Sequence, residues 1–290
     1  MMKSLPAQSC SIPCPELAPM KRIQTQNTAS IHLRGFTLVE IMVAITLSLF
    51  LIAGLVQIYS SSKRSSILQN KLAEYQETQR FVLDFLNRDI RMAGFFDQSK
   101  QTSIKPVTKF FINPDDAADS RNSKNGSGTD SDVLTVQYEA ATDCLGNNIS
   151  PDLAENVGPN GQTIAINNYF ILNKTLYCKG NDGGSAGGAR VALAAQPLID
   201  GVVNMQVLYG EDLDNFVAGQ QPTADRYVHV EDVTRLDRVQ TVRIALLFET
   251  TGPVKDKAET VIYKLLDAPE LSITDKFRRE VVTTTIALRN

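Results

Sequence analysis

The apolar and polar positions along this chain follow three successive patterns. Ile41 through Ser62 is a run of 22 residues without a charge. As a helix it spans roughly 33 Å at about 1.5 Å per residue, enough to cross a hydrocarbon core of about 30 Å. Beyond it the pattern turns amphipathic. Leu68, Leu72, Tyr75, Gln79, Val82, Leu86, Ile90 and Ala93 recur at steps of three and four, with Gln79 the one polar member. Lys71, Glu74, Glu77, Arg80, Asp84, Arg88 and Arg91 occupy the other sides, and Asp84–Arg88 is an i, i+4 pair of helix-supporting order. Gly94 is a stop signal. One helix of about 58 residues, roughly 87 Å long, is therefore expected from Phe36 onward, half membrane span and half core-facing stripe. Gly54 sits inside the apolar half, where it weakens the helix by roughly 0.5–1 kcal/mol relative to Ala. It eases bending or close packing there, or is simply tolerated.

The third pattern is β. Residues 113–132 (NPDDAADSRNSKNGSGTDSD) are polar and rich in Gly and Ser, and read as an exposed loop. Val133–Tyr138 is a first strand. Tyr169–Leu172 and Thr175–Cys178 read as a hairpin across Asn173-Lys174. Val202–Tyr209 and Val239–Phe248 are the clearest strands, and Thr260–Leu266 and Glu280–Leu288 complete the set. Strands in succession after one helix indicate an α+β class with an antiparallel sheet.

The residues at the start of the apolar run carry a specific motif, Arg34-Gly35-Phe36-Thr37-Leu38-Val39-Glu40. A carboxylate just inside such a run is costly, about 2.5–3.5 kcal/mol at a bilayer centre and less near its edge, so a partner for Glu40 is expected. An ordinary signal-anchor would use Glu40 merely to complement the helix dipole, but hydropathy alone predicts neither Gly-Phe at the boundary nor the Glu spacing. The motif resembles that of the type IV prepilins. The resemblance implies cleavage by a prepilin peptidase between Gly35 and Phe36, N-methylation of Phe36, and Glu40 as the fifth mature residue. Phe36 and Glu40, four apart, share one helix face. Residues 1–35 lack the apolar core of a secretory signal. They are long for a prepilin leader, and Met20-Lys21-Arg22 offers a second start that suits the family better.

Processing changes the charge and cysteine counts. The full chain has 29 basic and 32 acidic residues, a net charge of −3. Without residues 1–35 the balance becomes 25 to 31, a net charge of −6, which argues against general nucleic-acid binding. Cys10 and Cys14 leave with the leader, so Cys144 and Cys178 have one possible pairing. A disulfide suits a periplasmic or extracellular domain, and closing that loop is worth roughly 3–4 kcal/mol on the chain-entropy model.

Most other constellations are weak. His229 is the one histidine of the mature chain, so any Ser-His-Asp or Cys-His device would need it, and no nucleophile elbow or phosphate-binding Walker motif occurs. The Gly-rich stretch Gly180–Ala189 lacks the helix that would follow a phosphate cradle. Asp212 and Asp214 lie where relatives carry an acidic loop resembling a calcium site, but Phe216 interrupts it and a third ligand is missing. A solvated turn is the competing reading. Arg278-Arg279 reads as a solvated strand start, and the Asn-x-Ser/Thr triplets at Asn125, Asn148 and Asn173 carry little weight in the bacterial chain that the prepilin resemblance implies. No cofactor is expected, and an enzyme is not.

Leu198-Ile199-Asp200-Gly201-Val202 through Tyr209-Gly210, then Val239 to Leu247, and the ending Thr285-Ile286-Ala287-Leu288-Arg289-Asn290 look like the PilW group of minor pilins. Residues 97–160 look idiosyncratic. The resemblance implies four parts: a leader at 1–35, a membrane and filament-core helix at 36–62, its amphipathic continuation at 63–96, and a β-rich domain at 97–290. It implies a type IV pilin-like fold and a structural subunit that helps initiate pilus assembly at or near the tip, serving twitching motility, adhesion or DNA uptake. Implied partners are the prepilin peptidase, other minor pilins, the major pilin and a tip adhesin. Implied locations are the inner membrane of a Gram-negative bacterium, with the C-terminus periplasmic, and then the pilus. Rival readings are a minor pseudopilin of type II secretion, which shares every N-terminal feature, and a membrane-anchored displayed adhesin.

Overall fold

A computed structural model of the chain describes residues 35–97, 108–112, 121–158, 161–181, 183–184, 190–191, 193–214 and 223–288. Residues 1–34 of the leader, with Cys10, Cys14 and Met20, lie outside the described residues, as do Phe216 and most of the Gly180–Ala189 stretch.

A single α-helix, α1, runs from Leu38 to Met92, 55 residues. Thr37 caps it: its Oγ1 accepts the Glu40 N–H at 3.3 Å, and its carbonyl accepts that of Ile41. The residues up to Ile58 form one unit, and those from Tyr59 onward a second. In the first unit every helical side chain is exposed, Leu38, Phe50 and Leu51 among the most exposed. This part of the helix is long and apolar enough to cross a membrane. Its hydroxyls are satisfied within the helix, Thr46 donating to the Val43 carbonyl at 2.9 Å and Ser48 to that of Ala44 at 2.7 Å. Gly54 faces open space, so nothing in this chain requires the absence of a side chain there.

In the second unit the helix buries Tyr75, Thr78, Val82, Leu86 and Ile90, followed by Ala93. The stripe thus starts later than its sequence period predicts, because Leu68 remains 39% exposed. Thr78 is buried where the pattern pointed to Gln79, which is half-buried. Asp84 pairs with Arg80 at 3.9 Å instead of with Arg88, on an exposed flank where either choice is worth about 0.3–0.5 kcal/mol. Gly94 takes a left-handed φ of 77° and donates its N–H to Gln137, ending the helix as expected.

The β elements form two four-stranded antiparallel sheets. The first orders β1 (Leu134–Glu139), β2 (Ile164–Leu172), β3 (Thr175–Lys179) and β6 (Gln196–Asp200); the minor strands β4 (Gly183–Gly184) and β5 (Arg190–Val191) pair with each other between β3 and β6 in sequence. The second sheet orders β12 (Arg279–Ala287), β9 (Val239–Glu249), β7 (Val202–Glu211) and β8 (Arg226–Val228). A separate ribbon pairs β10 (Glu259–Tyr263) with β11 (Leu271–Asp275). The β2–β3 hairpin turns on Asn173 and Lys174, both at positive φ, 51° and 64°, the tight turn whose twist matches its strands. Between the sheets stands Gly201 at φ 90°, where a Cβ would approach the Glu249 carbonyl to 3.1 Å. Its conformation lets β6 in one sheet run directly into β7 in the other.

One face of β7 and β9, with Met205, Val207, Ile244, Leu246 and Phe248, packs with the helical stripe and with β1 and β2 into the main core. Each such side chain is worth about 1.5–3 kcal/mol of burial. The other face of β9, Ala245 and Leu247, meets Tyr263 and Leu265 in a smaller cluster. The β10 strand ends at Tyr263, short of the predicted Leu266, because a turn carries Leu266 to φ 47°.

Two expectations need correction. Residues 121–132 are only partly an exposed loop: 127–130 are exposed, but Arg121, Asn122, Ser123 and Asp132 at its two ends are buried. The segment is tied to β7, with the Asp132 carboxylate accepting N–H groups from Gly126 at 2.7 Å and Val207 at 2.6 Å. Burial pushes that carboxyl up to about 6, against these bonds. Residues 113–120 lie outside the described residues. The second concerns the two arginines. Arg279 is not a solvated strand start: its side chain is 3% exposed, 2.5 Å from Glu249 and 2.7 Å from Asp275.

Candidate functional site

The N-terminal motif sits at the entrance to α1. Gly35 and Phe36 precede the helix without regular structure, and Phe36 is 77% exposed. The irregular backbone at Gly35-Phe36 is exposed, and Gly35 has open space where a Cβ would stand. Thr37 caps the helix that Leu38 begins, which puts Glu40 in its first turn, exposed. Among the described residues Glu40 has no partner within the chain.

Cys144 and Cys178 are bonded. Cys178 is a buried residue of β3, and Cys144 lies in the turn after β1, so the bond ties that turn to the hairpin. We expect alkylation of the unreduced, denatured mature protein to label no thiol, and labelling after reduction to find two. Two labelled thiols without reduction would refute the pairing.

The residue that sequence reasoning missed is Asp89. It lies three positions after Leu86 and seven after Val82, spacings that place it on the buried face, and that was the available signal. Three donors converge on its carboxylate. The Tyr138 hydroxyl donates to Oδ1, the Tyr169 hydroxyl to Oδ2 at 2.7 Å, and Asn167 Nδ2 to Oδ2 at 3.1 Å. Tyr138 comes from β1, and Tyr169 and Asn167 from β2, so one helical side chain grips two strands. Asn167 extends the network, since its Oδ1 accepts the Cys144 N–H at 2.9 Å. Burial raises the pKa of Asp89 above the ordinary carboxylate value, and the three donors oppose that rise.

The acidic loop is better furnished than the sequence indicated. Asp225, beyond the residues that lie outside the description, brings a third carboxylate to Asp212 and Asp214, all within 4.8 Å. Two of the three already serve their own loop. Asp212 Oδ1 accepts the Asp214 N–H at 2.9 Å, and Asp225 Oδ2 accepts that of Leu213 at 2.7 Å. An oxygen-only set of this kind suits a hard cation such as calcium, and equally organises a turn. Beside it, Glu211 is fully buried at the end of β7. Burial pushes its carboxyl up, but bonds from Thr234, Arg226 and the Arg235 backbone outweigh this and bring it to about 2.

His229 places Nε2 at 2.8 Å from Asp267. Both described cysteines are committed to the disulfide, so neither serves that histidine as a nucleophile.

Two family models match this chain. Residues 33–56 match the prokaryotic N-terminal methylation motif, and residues 160–290 match the type IV pilus-assembly protein W family. No curated protein matches the chain. Among solved structures, a type IV-like pilin from Thermus thermophilus is similar at 15% identity and a TM-score of 0.39, covering 75% of this chain and 95% of that one.

Proposed function

We propose that this chain, a type IV pilus minor pilin of the PilW family by its two family matches, helps initiate pilus assembly and resides at or near the tip. The observation that carries the reading is the first unit of α1. An apolar helix with every side chain exposed starts two residues after the cleavage position and holds an unpartnered carboxylate in its first turn.

The mechanism follows from solvent physics. In the membrane the apolar side chains contact lipid. On assembly they contact other pilin helices, and lipid tails are as apolar as leucine, so this exchange yields little free energy by itself. Specificity then rests on polar groups. Cleavage after Gly35 creates an amino group at Phe36, which N-methylation leaves positively charged. Glu40 of one subunit offsets that charge on a neighbour inside a poorly hydrated core, where an ion pair is far stronger than in water. The globular unit, tied together by its disulfide, stays outside the membrane to meet the other tip subunits.

Processing is the direct test. We expect the mature N-terminus, read by mass spectrometry, to be methylated Phe36, and a bulky substitution such as Gly35→Leu to leave the precursor uncut. An intact leader on assembled protein would sink the proposal. The same protein identified in sheared pili supports the pilus reading, and its absence from pili in cells that assemble them would favour a secretion pseudopilin or a displayed anchor.

A further inference from the structure

The sheet edges of the globular unit are unequally protected. The outer edge of β1 is covered by chain segments, with Phe111 donating to Thr135, Gln137 to Lys109, and Glu139 to Phe95. Above β8 the edge of β7 is covered by residues 131–132, which bond Met205 and Val207. β6 carries Pro197, and β8 is three residues long. These are the usual devices against unwanted strand pairing.

β12 has none of them. It is nine residues long, pairs with β9 in unbroken register, and no described strand lies on its other side. It contains no proline, and Val281 through Ile286 are all β-branched. Its buried charge, Arg279, is neutralised by Glu249 and Asp275. Backbone parity is set by two bonds. The Leu288 N–H donates to Gln240, and the Arg278 carbonyl accepts from Thr250. Even-numbered residues therefore face β9, and Val281, Thr283, Thr285 and Ala287 turn their N–H and C=O groups outward. Among the described residues nothing receives them.

We propose that the free edge of β12 receives an extended segment of a different membrane-anchored pilin-type subunit, which adds a strand to this sheet. The inference rests on the reading above that the chain assembles with other pilins. Two arguments select the occupant. First, pairing along about 30 Å of strand buries on the order of 300–400 Å² per partner, roughly half the 800 Å² of a standard specific interface. Such a contact suffices only between chains already held together, and two helices anchored in one membrane supply that effective concentration. Second, a second copy is a poor match. Antiparallel self-pairing about Thr283 sets Glu280 opposite Ile286, a carboxylate against an aliphatic chain. The fitting segment alternates apolar or β-branched residues and places a Lys or Arg across from Glu280.

The test uses the full-length protein in membranes of the producing cells, with photoreactive benzoylphenylalanine at position 285. Irradiation is expected to yield a cross-linked pair in which mass spectrometry identifies a different pilin-type chain. Thr283→Pro removes an outward N–H without touching the β9 ladder, and is expected to lower the yield at least tenfold while processing and the Cys144–Cys178 bond persist. Glu280→Lys, an exposed change, is expected to lower it about fivefold, which keeps the test decisive if the proline variant fails to fold. A cross-link to a second copy, to another segment of the same chain or to a non-pilin protein would overturn the proposal, as would no cross-link. Failure of the pilus reading shows separately, as wild-type protein missing from sheared filaments.

Discussion

Glu40→Ala is expected to be cleaved and membrane-inserted like wild type, yet to appear in sheared pili at no more than about a tenth of the wild-type level. A simple anchor predicts the opposite, since removing an ionisable group from the membrane edge is harmless or helpful. In a filament the same change strands a neighbour's amine in a poorly hydrated core. Breaking one partner of a buried pair costs about 3–5 kcal/mol. The cost here is lower, because the amine can reach water or another subunit, but about 1.4 kcal/mol already accounts for a tenfold loss. The exposure of Glu40 in the isolated chain fits this, because the folding of one subunit makes no use of it. Quantifying the variant in sheared filaments and in membranes separates the two. Wild-type incorporation would count against the pairing, and loss of insertion would assign Glu40 a different role.

The second large effect concerns Asp89. Asp89→Ala leaves the Tyr138 and Tyr169 hydroxyls and the Asn167 amide without their shared acceptor. Each buried unpaired group costs about 1–3 kcal/mol, and partial re-pairing among the three reduces the sum to about 2–4 kcal/mol. For a domain of this size that is a fall in Tm of roughly 5–15 °C. Asp84→Ala, on the exposed flank of the same helix, should stay within about 0.5 kcal/mol of wild type. The loss should also depend on pH. Because burial raises the folded-state pKa of Asp89, the stability it contributes is fully present below its unfolded value and declines as pH rises through the folded one. The gap between wild type and Asp89→Ala should therefore narrow from acid toward neutral pH. Thermal melts of the detergent-solubilised mature protein at two pH values test both statements. Equal melting of wild type and Asp89→Ala would remove the network from the account of how the helix is held.

These two carboxylates, in one helix, differ in how much of their role the sequence reveals. The role proposed for Glu40 can be read locally, from a fixed distance to Gly35-Phe36 at the start of an uncharged run. The same holds for the helix itself, for its stop at Gly94, and for β7 and β9, whose apolar runs are long enough to declare themselves. The Cys144–Cys178 pairing followed from counting once the leader was set aside.

What the sequence left open is contact between residues far apart in the chain. Asp89 meets partners 49, 78 and 80 positions away, and no periodicity records which hydroxyls will arrive. β6, β8 and β11 are short and half-exposed, so their apolar pattern is too weak to read, and they exist because a neighbouring strand offers them hydrogen bonds. Residues 121–132 look like a surface loop by composition, and their tip at 127–130 is exposed, yet both ends are buried, because β7 has backbone groups that Ser131 and Asp132 satisfy. The third carboxylate of the acidic loop likewise comes from the far side of that loop. A helix closes its hydrogen bonds within four residues and the N-terminal motif is a contiguous run of residues, so sequence alone determined both. Strand edges, buried charges and covering loops take their partners from distant segments, and only tertiary structure decided those.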